Sequence, residues 1–150
     1  TNIKWGIWYT LITYITYKMN SFIMKNKIFF LKVGFYSANF ILIVFYLFPG
    51  SILGCFFYDN CFRQPHITPD FIISSNHFYA FIVLTTLGIF SHIRSKKIDF
   101  LFLYLILLSV ILELLHLVIP NRGFELSDLF GNIAGIIFVI IIYKVKNRYA

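Results

Sequence analysis

Six residues have side chains that could do chemistry in an apolar setting: His77, Glu113, His116, Arg122, Asp128 and Asn132. Glu113 and His116 are three positions apart, so they share a face of any helix that carries them. A carboxylate and an imidazole so placed can act as an acid/base pair, contribute to a metal site or form a hydrogen-bonded structural pair. The Glu-x-x-His spacing also occurs in helical di-iron sites, but those draw further carboxylates from other helices. Only Glu125 and Asp128 are close enough in sequence to help, so neither a metal nor another cofactor is expected. Glu113 lies within a run of leucine and isoleucine. A charged side chain at the centre of a bilayer costs about 2.5–3.5 kcal/mol on insertion scales, so a carboxylate retained there calls for a reason. Glu113, His77 and His116 are the candidate catalytic groups, and all six residues are candidate ligand contacts. Arg122 sits in the turn Pro120-Asn121-Arg122-Gly123. It can pair with Glu125 at the surface or meet an anion such as a lipid phosphate, which suits the guanidinium fork.

The elements that must hold these residues are membrane helices. The chain is 59% hydrophobic and 21% aromatic with 13% charged residues, and its apolar residues form long runs rather than alternating patterns. That composition excludes an ordinary soluble domain and implies helices whose backbone is satisfied internally. The net charge of +7 does not indicate nucleic acid, because the lysines and arginines gather at the ends of apolar runs instead of forming one patch.

The fold class expected is an all-α integral membrane protein, a four-transmembrane-helix bundle with an N-terminal interfacial helix. Residues 3–17 are aromatic and too short for a comfortable span, so they are expected to lie in the interface. Spans are expected at about 28–48, 71–91, 98–119 and 129–145. Residues 51–58 should lie along the outer interface or continue the first helix past a kink. Thr68-Pro69-Asp70 reads as the start of the second span, with Asn76 as the alternative cap, and Ser127 or Asp128 as the cap of the fourth. With both termini inside, eleven basic residues are cytoplasmic and only Arg63 and Arg122 are outside, which follows the positive-inside rule. This topology brings His77, Glu113 and Asn132 to one depth in the outer leaflet, about 6–10 Å below the surface at 1.5 Å per residue. Three costly polar groups at one depth on three helices imply one cluster, serving either helix packing or a ligand.

Other features weigh less. Cys55 and Cys61 fall on the outer side, where they can pair or remain free thiols. Gly131 and Gly135 form a Gly-x-x-x-Gly step that lets two helices approach closely. His66 and His92 are expected to be solvated. Met19 and Met24 are candidate starts, which would make residues 1–27 an interfacial or non-native extension of a domain at 28–145, followed by a cytoplasmic tail at 146–150. Phosphate-loop, nucleophile-elbow and zinc-protease motifs are absent.

The string Glu113-x-x-His116-x-x-Ile119-Pro120-Asn121-Arg122, followed by Asp128-x-x-x-Asn132-x-x-Gly135, resembles the VanZ-like membrane proteins. His77-Phe78 with Tyr79-Ala80-Phe81 and Gly88 is similar to that family's second-helix motif, and Tyr46-Leu47-Phe48-Pro49-Gly50 to the end of its first helix. The chain departs from the pattern in two places: Ser74, Ser75 and Asn76 stand where the family often has Asp-Lys, and His116 stands where a Gln is usual. The resemblance implies a small bacterial inner-membrane protein, with a link in the namesake to low-level tolerance of the glycopeptide teicoplanin. Three functions follow as expectations. One is an accessory protein whose outer-leaflet site binds a membrane lipid, a lipid-linked envelope molecule or an amphiphilic antibiotic. The second is an intramembrane enzyme acting on a lipid head group with Glu113 as general base. The third is a structural subunit, possible alongside another membrane protein.

Overall fold

The computed structural model describes residues 2–70, 72–93, 95 and 97–149, with side chains from residue 13 onward. Residue 71, where the second span was expected to start, and Arg94 and Lys96 of the inner loop lie outside the described residues. So do the side chains of Lys4, Trp5, Trp8, Tyr9 and Thr10.

The described residues are helical, with α1 at Asn2–Leu47, α2 at Ile52–Tyr58, α3 at Ser75–His92, α4 at Ile98–Leu115 and α5 at Leu126–Tyr149. Thr13–Leu47 of α1, α4 and α5 are long and apolar enough to cross a membrane. The molecule is a multi-pass, all-helical membrane protein, and the aromatic and branched side chains exposed along α1, α4 and α5 form the surface that lipid tails solvate.

The N-terminal segment differs from the expectation of a separate interfacial helix. Helix α1 runs 46 residues without a break, about 69 Å at 1.5 Å per residue. The reason is local: no proline interrupts residues 2–47, and the lysines, methionines and leucines around Lys18–Lys32 all favour helix. Among the described side chains of α1, those of its last third pack. Phe35 and Tyr46 are buried with Ala38, Leu42 and Ile43 beside them, whereas residues 13–27 are exposed.

Helix α3 is the hub, packed against α1, α4 and α5. Its contact with α5 is set by glycine. A Cβ at Gly135 would lie 2.5 Å from the Phe78 carbonyl oxygen, and one at Gly131 would lie 2.7 Å from that of Ser74, so the Gly-x-x-x-Gly step does bring two backbones together. Phe81, Leu84, Leu105, Leu112 and Ile136 fill the core between α3, α4 and α5. Asn39 of α1 donates to the Tyr104 hydroxyl of α4.

Helix boundaries depart from the expectations where side chains were given the wrong task. Thr68-Pro69-Asp70 does not open α3, which begins at Ser75. Asp70 instead reaches forward: its Oδ1 accepts from the Ser75 amide at 2.6 Å, while the Ser75 hydroxyl donates to the Thr68 carbonyl. Asn76 is no cap either. It accepts from the Ile67 amide and donates to the Pro65 carbonyl, pinning the outer loop to α3. Helix α5 starts at Leu126, with the Asp128 and Leu129 amides bonded to the Glu125 carbonyl. Asp128 therefore lies in the first turn and its carboxylate is free for other work.

Residues 51–58 form a helix of their own. The Ser51 hydroxyl oxygen accepts from the Gly54 amide, and Asp59 closes the turn in a left-handed conformation. Cys55 and Cys61 are bonded, with an S–S distance of 2.09 Å. Gly54 packs so closely on the returning strand that a Cβ there would sit 1.8 Å from the Arg63 carbonyl oxygen.

Candidate functional site

Four helix ends meet beneath this outer loop, and each brings one or two polar side chains. Tyr46 comes from the last turn of α1, His77 from the first turn of α3, Glu113 and His116 from the end of α4, and Asp128 and Asn132 from the start of α5. His77, Glu113, His116 and Asn132 are each at most 5% exposed. The cluster expected from depth alone is formed, with Tyr46 at its centre.

Tyr46 was named only within the first-helix motif and not as a site residue. Its hydroxyl donates to Asn132 Oδ1 at 2.6 Å and lies 2.8 Å from His77 Nδ1. On the other side of the ring, His77 Nε2 lies 3.2 Å from Asp128 Oδ2. The Tyr46 ring stacks on His116, with centroids 5.6 Å apart, and meets His77 edge-on. The signal for Tyr46 was available in sequence: a tyrosine one turn before Pro49-Gly50 lies at the depth of the other polar groups.

Glu113 holds the turn after α4 against α5. Its Oε1 accepts from the Glu125 amide at 2.9 Å and lies 3.4 Å from His116 Nδ1. His116 donates from Nε2 to the Tyr46 carbonyl at 3.1 Å. Glu113 Oε2 and Asn132 Nδ2 are buried without hydrogen-bond partners. Such groups are costly to bury.

Arg122 stands apart. Its Nε donates to the Phe48 carbonyl at 3.3 Å and its Nη2 to the Phe45 carbonyl at 3.2 Å, satisfying the open carbonyls at the end of α1. Partial burial holds its pKa below the usual arginine value, and a guanidinium stays charged regardless. Of the two roles open to Arg122 in sequence, the surface pair with Glu125 is not formed: among the described residues every close contact between a basic side chain and a carboxylate involves histidine. His92 is not free in solvent either, since it is half-buried against Phe35 and bonded to Ser91 and Gly88. His66 is exposed and pairs with Asp70 at 3.2 Å. The Ser75 amide is the main cause that holds the Asp70 carboxyl below its ordinary value.

A groove of about 670 Å³ runs between α1 and α3 and under the outer loop. Its walls are apolar, among them Ala38, Leu42, Ala80 and Val83, and its polar positions include Tyr46, His77, His116 and Arg122. Glu113, Asp128 and Asn132 are not on its wall; they sit behind the two histidines and the tyrosine. Glu113 therefore lacks the direct access that a general base would need.

Comparison with protein-family models, with curated proteins and with solved structures returned no match.

Proposed function

We propose that this chain is a VanZ-like accessory protein of the bacterial inner membrane that binds an amphiphile from the outer leaflet. The ligand class is a cell-envelope lipid, a lipid-linked envelope molecule or an amphiphilic antibiotic. In this reading α1, α3, α4 and α5 are four spans with both termini cytoplasmic, and the outer loop with its disulfide faces the oxidising side. The observation that carries the proposal is the groove. It has the size of a small-ligand site, apolar walls that suit an acyl or prenyl chain, and Tyr46, His77, His116 and Arg122 where a polar head group would rest. Arg122 supplies a fixed positive charge for a phosphate or carboxylate. Glycopeptide tolerance rests on the sequence resemblance alone.

Filling the groove tests this reading. Ala80→Phe places a ring in the apolar channel and leaves the polar cluster untouched. It is expected to abolish any change in glycopeptide tolerance or envelope-lipid content that the wild-type protein confers, at equal membrane abundance. A phenotype that survives the filled groove contradicts the proposal.

A further inference from the structure

The structure assigns a divalent metal site to His77, Glu113 and Asp128. These residues come from three different helices, and each offers a ligand atom within 4.8 Å of the other two. The inference is independent of what fills the groove.

Three observations carry it. First, the ligand atoms converge. His77 Nε2 and Asp128 Oδ2 face each other in a buried setting, and Glu113 offers a third ligand atom beside them. The 3.2 Å separation of Nε2 and Oδ2 matches one edge of a coordination shell: metal–ligand bonds of about 2.1 Å place adjacent ligands about 3.0–3.4 Å apart in octahedral or tetrahedral geometry. Second, Glu113 is fully buried and its Oε2 is unpartnered. Oε1 already serves the Glu125 amide, which leaves a carboxylate oriented by one oxygen and available at the other. Third, the outer shell is in place. A metal-bound histidine normally has its other ring nitrogen hydrogen-bonded to a fixed group, and His77 Nδ1 lies 2.8 Å from the Tyr46 hydroxyl, which is itself anchored by Asn132.

The ligand set limits the ion. Two carboxylates and a neutral imidazole sum to two negative charges, which a divalent cation neutralises. One nitrogen and two oxygens without thiolate suit Zn2+ or Mn2+. Three protein ligands leave further positions open for water or a ligand.

The test uses the full-length protein in detergent with any affinity tag removed. Zn2+ and Co2+ are titrated by calorimetry and by visible absorption. The expected result is saturable binding near one ion per chain, with Co2+ ligand-field bands. Binding should weaken at least ~10-fold in Glu113→Gln and in Asp128→Asn and stay unchanged in His92→Gln. Absence of saturable binding by the folded wild type overturns the assignment, as does binding that both carboxylate variants retain. Should those variants fail to fold, X-ray absorption at the zinc edge of the wild type decides. One imidazole with oxygen ligands supports the site, and two or more imidazoles or a sulfur ligand overturns it.

Discussion

Removing one oxygen atom from Tyr46 tests whether the cluster works as a connected unit. Tyr46→Phe keeps the ring, and with it the stack on His116 and the edge contacts with His77 and Phe81. It deletes two hydrogen bonds, at 2.8 Å to His77 and 2.6 Å to Asn132. Interhelical hydrogen bonds in membrane proteins average ~0.6 kcal/mol and reach ~1.7, so two give about 1–3 kcal/mol. The atoms left behind, His77 Nδ1 and Asn132 Oδ1, are 3.2 Å apart and can bond each other directly. That relief places the expected loss at the lower end, about 1–2 kcal/mol. Reversible unfolding in mixed micelles measures it, and a double-mutant cycle with Asn132→Leu isolates the pair. A coupling of about 1 kcal/mol is expected for residues in one network. A loss below about 0.3 kcal/mol with additive single effects would show that the hydroxyl bridges nothing.

Gly135→Ala is expected to cost about 1–3 kcal/mol by overpacking, because its Cβ meets the Phe78 carbonyl at 2.5 Å; a melting temperature equal to wild type would show that α3 and α5 can part freely. Breaking the Cys55–Cys61 bond is expected to cost the outer loop about 2 kcal/mol by loop-closure entropy. After reduction, a membrane-impermeant maleimide should label both cysteines in intact cells, and labelling only after lysis would reverse the proposed orientation. Asp70 should titrate below the ordinary aspartate value, because ionisation lets it hold the Ser75 amide. With the folded pKa depressed, its contribution to stability is complete above the unfolded value and is lost as pH falls through the lower folded value. Carboxyl carbon shifts followed from pH 6 downward measure this, and a midpoint at or above the ordinary value contradicts the cap.

The apolar runs made the helices legible, because a backbone in lipid has few alternatives. The depth argument placed His77, Glu113 and Asn132 together, since counting turns from Pro120 and from the polar loops needs no tertiary information. What the sequence concealed depended on which atom meets which. Asp70 caps α3 from five residues upstream, and Asp128 turns from capping α5 to facing His77; both carboxylates suit either task until the chain closes. Arg122 reads as a surface charge, yet it is drawn to the carbonyls that α1 leaves open. The continuity of α1 is not legible from the length and aromatic content of residues 3–17, because a helix can run on past the hydrocarbon through the lysines at 18–32 without a break. Tyr46 stands out among the chain's ten tyrosines only by its place one turn before Pro49-Gly50.

The account stands or falls on whether the α1–α3 groove holds an amphiphile. Native mass spectrometry of the protein released from mild detergent, compared with its Ala80→Phe variant, measures this directly. The prediction is a discrete bound species, retained by wild type through activation that strips bulk phospholipid and missing from the filled-groove variant. Wild type and variant carrying the same weakly held lipids would contradict it.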